Sequence, residues 1–169
     1  MNKDHIHLKL GTVREASADA IVSEINNDLI FAPEAHCSLG TEVDTDIIRQ
    51  CLAIGKLDLG DAVVTDAGDL DARWVIHAAS MNYDQVSSEE SIVNSLRASL
   101  QRAAEIGART VAIPPIGMAT SNIPIKRVSE LLLSEVLRHD TRESTVEEVT
   151  FFLPDRNMMR VFDECLKQV

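Results

Sequence analysis

Between His5 and Leu10, the apolar residues Ile6, Leu8 and Leu10 alternate with polar ones, and Gly11 follows. That is the period of a strand with one buried face. Ala20, Ile21 and Val22 supply a second strand within Asp19 to Ser23. Ala62 to Thr65 and Arg73 to Ala79 form two further runs joined by the turn-forming Ala67-Gly68-Asp69, which predicts a hairpin or near neighbours. From Glu89 the period changes: Ile92, Val93, Leu96, Leu100, Ala103 and Ala104 recur at helical spacing, and Gly107 stands where a helix C-terminus ends. Thr110 to Ile113 reads as a short strand stopped by Pro114-Pro115. Pro124 opens a helix carrying Val128, Leu131, Leu132 and Val136. Val149 to Leu153 is the last strand, and Met159, Phe162, Cys165 and Leu166 stripe a final helix.

Strands that first cluster and then alternate with helices predict an α/β fold: a mixed, largely parallel sheet of about six strands with helices on both faces. Ligands of such sheets sit beyond the strand carboxyl ends, where the connecting loops meet. A length of 169 residues suits one domain spanning residues 1–169, and no linker, repeat or low-complexity tract divides it.

Composition narrows the partners. With 45% hydrophobic and 25% charged residues the chain falls outside the disordered class. A net charge of -11 repels a phosphate backbone, so no nucleic-acid polymer is expected as a partner. A small anionic ligand stays open, because backbone N–H groups hold phosphates without basic side chains. Met1 to Leu10 has no apolar leader character, and no run approaches the roughly 20 apolar residues of a membrane span, so a cytoplasmic protein without a membrane partner is expected. Cys37, Cys51 and Cys165 are odd in number and widely spaced, which fits reduced thiols and neither disulfides nor a metal site. No cofactor or metal is implied. His77 lies in a strand run and reads as a core histidine, and the adjacent His36 and Cys37 are poorly spaced for joint chelation.

Four segments carry a family resemblance. Gly60-Asp-Ala-Val-Val-Thr-Asp-Ala-Gly68 followed by Ala72-Arg-Trp-Val-Ile-His-Ala-Ala79 resembles the macrodomain pattern of a Gly-x-Ala-x-x-Thr strand and an Arg-Tyr/Trp-Val-Ile-His strand. Asp19-Ala-Ile-Val-Ser-Glu-Ile-Asn26 is similar to that family's Asp-Ala-Ile-Val-Asn-Ala-Ala-Asn. Ala112-Ile-Pro-Pro-Ile-Gly-Met-Ala-Thr-Ser-Asn-Ile-Pro124 has the register of its Ala-Phe-Pro-Ala-Ile/Leu-Gly-Thr-Gly loop. The resemblance implies a three-layer α/β/α sandwich and a small-molecule ligand, ADP-ribose or a related nucleotide, or an ADP-ribosylated protein.

The resemblance also assigns the site. Gly11-Thr-Val-Arg14 stands where the family has Gly-Asp-Ile-Thr, placing Thr12 and Val13 near adenine, with Thr12 lacking the family's charge. Ser23 replaces the first ribose-facing Asn and Asn26 retains the second, whose amide suits a diol. A gapless register puts Ala32-Pro-Glu-Ala35 on the phosphate loop, where Pro33 has no N–H and Glu34 repels phosphate. A register with an insertion instead matches Gly40-Thr-Glu-Val-Asp44 to the hydrolytic branch. Asn26 and Asp44 would then be catalytic. In the fourth loop Gly117 alone remains of the family's glycines, and Ile116, Met118, Ala119 and Thr120 complete an anion nest. Phe152 falls near the strand end that faces adenine. Three functions are compatible: a nucleotide-binding module, an ADP-ribosyl hydrolase, or a scaffold that has lost the nucleotide.

Overall fold

The computed structural model describes residues 1–169. Its strands are β1 (Ile6–Leu10), β2 (Ala20–Asn26), β3 (Ala62–Asp66), β4 (Trp74–Met81), β5 (Thr110–Ile113) and β6 (Glu148–Leu153). Its helices are α1 (Thr45–Ile54), α2 (Glu89–Glu105), α3 (Ile125–Arg138) and α4 (Arg156–Gln168). The sheet order is β1-β6-β5-β2-β4-β3, with all neighbours parallel except the antiparallel edge pair β3 and β4. This is the six-stranded mixed sheet that the strand pattern predicts, and β3 and β4 pair directly across the Ala67–Asp69 turn.

Pleat alternation divides the core in two. Ala20, Val22, Ile76, Val111, Val149 and Phe151 face α2, α3 and α4. Their intervening neighbours Ile21, Ile25, Val75, Ala112 and Phe152 face α1 and the 3-10 turn Val13–Glu15. Strands buried on both faces read as continuous apolar runs, which is how Ala20–Val22 and Val75–Ile76 appear.

Helix ends follow local chemistry. Ser88 caps α2: its hydroxyl accepts from the Ser91 backbone while the Ser91 hydroxyl accepts from the Ser88 N–H, a capping box with serine in both places. Beyond its C-terminus Gly107 adopts φ 79°, the left-handed conformation that ends the helix. Pro124 sits at the N-cap of α3. The helix α1 is absent from the periodicity reading, because Ile47 and Cys51 are the only buried positions in its 10 residues.

All three cysteines are free, Cys51 and Cys165 being buried. No helix is long and apolar enough to cross a membrane.

Candidate functional site

A cleft of about 390 Å³ opens beyond the carboxyl ends of β1, β2, β5 and β6. Four stretches supply most of its wall: Gly11 to Val13 after β1, His36 to Ser38 with Gly40, Pro114, Pro115, Met118 and Ala119 in the loop after β5, and Phe152 and Pro154 at the end of β6. Met158 of α4 and Glu24 of β2 complete it. The crossing between β5 and β2 lies in the middle of the sheet, where successive connections depart in opposite directions and leave such a crevice.

The polar lining is unusual in charge. No lysine or arginine reaches the wall; its ionisable side chains are Glu24, His36 and the Cys37 thiol. Glu24 is 2% exposed and its Oε1 accepts three hydrogen bonds. They come from the Gly117 N–H at 3.0 Å, the Thr120 hydroxyl at 2.9 Å and the Ser80 hydroxyl at 2.8 Å. Its Oε2 lies 3.5 Å from His36 Nε2. The backbone of Glu24 also grips the neighbouring segment: its N–H donates to the Ser38 hydroxyl at 2.9 Å, and its carbonyl accepts from the Ser38 N–H at 3.2 Å. Those two bonds fix residues 36–38 as the wall. Burial pushes the Cys37 thiol up from its ordinary value, and contact with the Ser23 hydroxyl at 3.5 Å only partly offsets this. Cys37 is therefore a neutral thiol at pH 7, not a thiolate nucleophile.

Backbone donors separate into two groups. The N–H groups of Gly11, His36, Ser38, Gly40 and Met118 are bonded to Leu153, Gln85, Glu24, Cys37 and Pro115 respectively. Those of Thr12, Val13, Cys37 and Ala119 donate to no protein group, although all four residues line the cleft. Such unspent amides are the usual means by which a loop holds an anion without basic side chains.

The structure brings Thr12, Val13, Met118, Ala119 and Phe152 together in the cleft. Gly117 and Thr120 lie directly behind it through their bonds to Glu24, and Ile116 is fully buried. Ser23 is also fully buried, touching the cleft wall only through Cys37.

The remaining candidates lie elsewhere. Asn26 is 1% exposed and both ends of its amide are used on one residue: Nδ2 donates to the Ile30 carbonyl at 2.9 Å and Oδ1 accepts the Ile30 N–H at 3.2 Å. Asp44 caps α1, accepting the Asp46 N–H at 2.8 Å, and packs against Gly68. Pro33 and Glu34 are exposed in a turn closed by the Ala35 N–H on the Ala32 carbonyl at 3.0 Å. Neither Pro33 nor Glu34, which the gapless register puts on the phosphate loop, lines the cleft. The chain reaches the cleft only at His36, after that turn, because Ser38 pairs with Glu24. Of the segment matched by the register with an insertion, Gly40 lines the cleft, while Asp44 stands at the start of α1 outside the lining. A variant replacing both Pro33 and Glu34 by glycine is expected to leave ligand affinity unchanged within about twofold, and calorimetry on the folded variant checks this.

Glu24, His36, Ser38 and Met158 were not among the residues picked out for the site. For Glu24 a signal was present: a carboxylate inside a central strand must find buried donors or be excluded from the core.

Residues 35–132 match the model of the Macro domain family. A macro domain-containing protein of Streptomyces coelicolor is 33% identical over 164 residues, covering 93% of this chain and 95% of the relative. Another, from Vibrio parahaemolyticus, is 27% identical over 169 residues, covering 96% and 98%. Among solved structures, the Oceanobacillus iheyensis macrodomain with ADP superposes with a TM-score of 0.77 at 18% identity, covering 99% of this chain and 94% of that one. The Trypanosoma brucei macrodomain in complex with ADP-ribose gives a TM-score of 0.78 at 19% identity, covering 96% and 69%. Sheet order, the position of the cleft and the sequence matches agree, and this chain belongs to the macro domain family.

Proposed function

We propose that the cleft binds ADP-ribose or a related nucleotide, and binds it weakly. The observation that carries this reading is the set of four unspent amides, Thr12, Val13, Cys37 and Ala119, around one cleft that also presents Phe152. Phosphate oxygens satisfy amides of this kind, and an apolar wall of Phe152, Pro154 and Met158 suits a flat base. Macrodomains of the same fold carry ADP and ADP-ribose in their complexes. Weakness follows from the missing basic side chains and from Thr12, whose hydroxyl contacts Glu15 at 3.3 Å and offers no charge.

Binding without hydrolysis is the favoured form. Asn26 is occupied by Ile30 and Asp44 by the start of α1, so neither candidate catalytic residue is free at the cleft, and Cys37 there is a neutral thiol. An NMR titration of 15N-labelled protein with ADP-ribose tests the reading. The amide resonances of Thr12, Val13, Cys37 and Ala119 should shift together and saturate, with a dissociation constant on the order of 100 μM. Silence at all four in millimolar ligand would refute it.

A further inference from the structure

The Glu24 carboxylate occupies donors that a bound anion would otherwise use. Its Oε1 takes the Gly117 N–H, the Thr120 hydroxyl and the Ser80 hydroxyl, all within 3.0 Å. Its Oε2 has only His36 Nε2 nearby, at 3.5 Å, and belongs to a side chain that lines the cleft. The carboxylate is thus held by one oxygen, while the other accepts no hydrogen bond within the protein and keeps its accepting capacity. Two of the unspent amides are close in sequence to its partners: Cys37 follows His36, and Ala119 lies between Gly117 and Thr120. A phosphate on those amides would sit beside a carboxylate with no lysine or arginine lining the cleft to offset it.

We propose that Glu24 sets the charge selectivity of the cleft: it accepts a hydroxyl or N–H group of a nucleoside-type ligand and discriminates against a phosphate at the same point. The proposal deepens the nucleotide-binding reading and rests on it. The preferred ligand is a nucleoside whose substituent beside Glu24 is uncharged or cationic and carries a hydrogen-bond donor. A diphosphate is tolerated only as far as the Thr12 and Val13 amides can hold it away from the carboxylate.

The test compares ADP-ribose with adenosine, which has the base and ribose but no phosphate, on the wild-type protein and on Glu24→Gln. Glutamine keeps an amide oxygen for the Gly117, Thr120 and Ser80 donors and removes the charge. ADP-ribose should bind Glu24→Gln about tenfold more tightly than wild type, while adenosine changes by less than about twofold. The wild-type protein alone supplies a second measurement that does not depend on the variant folding: ADP-ribose should gain less than about tenfold in affinity over adenosine. If both ligands bind but ADP-ribose gains nothing in Glu24→Gln, the charge-selectivity proposal is overturned and the nucleotide reading stands. It is equally overturned if wild type prefers ADP-ribose by tenfold or more. If neither ligand binds either protein, the nucleotide reading falls and this proposal with it.

Discussion

Gly117→Ala should lose roughly 2–4 kcal/mol of stability, the sum of two penalties that meet at this residue. The first is conformational: Gly117 has φ 90°, where a side chain is strained whatever room it has. The second is collision. A Cβ here would stand 2.2 Å from Ile92 Cδ1 and 2.7 Å from its Cγ1, and Ile92 is a fully buried residue of α2. Neither side yields easily, because the Gly117 N–H is tied to Glu24 and the Ile92 side chain is packed among core residues. Gly40→Ala separates the terms. Gly40 has φ 81° with nothing within 4 Å of its Cβ position, so it carries the strain alone and should cost about 1 kcal/mol. Urea unfolding of both variants checks the difference. Equal losses would show that the loop after β5 can move off Ile92.

The same residue shows how far the sequence could be read. Gly117 is marked out by the resemblance of its loop to the family's glycine-rich one, while the strand stopped by Pro114-Pro115 shows only that a loop follows there. The strand β1, the helical period of α2 and the closing Gly107 were all legible, because each depends on near neighbours along the chain, although of the alternating Ile6, Leu8 and Leu10 only Ile6 is buried. α1 was not legible, since Ile47 and Cys51 are too few buried positions to mark a face.

The site was harder to read for a related reason. Glu24 looks like a polar interruption of β2, and its meaning depends on Ser80, Gly117 and Thr120, which are 56, 93 and 96 residues away. The turn at Ala32–Ala35 misled in the opposite sense: Pro33 and Glu34 have the chemistry to disturb a phosphate, yet the pairing of Ser38 with Glu24 puts His36 and Cys37 on the wall instead. Side chains can be judged from sequence by what they offer, but which of them reach a cleft is decided by hydrogen bonds between distant segments.

Below pH 6.5 the protein should lose stability through His77, a residue far less exposed to solvent than its chemistry invites. His77 is fully buried in β4, opposite Ser23 of β2, with Phe31 edge-on to its ring. The Thr65 hydroxyl donates to the Asp66 carbonyl at 2.9 Å, so towards His77 Nε2, 2.8 Å away, it can only accept. Nε2 therefore carries the proton. Nδ1 is left as a bare lone pair, buried and with no partner. Adding a proton there would create an unpaired cation in the core, and burial accordingly lowers the pKa from the ordinary 6.5 to about 4. Because the folded value lies below the unfolded one, His77 favours the native state fully above pH 6.5. That contribution is lost as pH falls towards 4, since the unfolded chain takes up the proton first. Between pH 7 and pH 5 the loss amounts to about 2 kcal/mol. His77→Phe keeps the ring volume and leaves the Thr65 bond to Asp66 in place. Its unfolding free energy, measured in urea at both pH values, should fall by about 2 kcal/mol less than that of the wild type. The other four histidines are common to both proteins and cancel in the comparison. Identical pH dependence in the two would mean that β4 opens readily enough to hydrate His77, and the rigid, two-sided burial of the central strands would have to be given up.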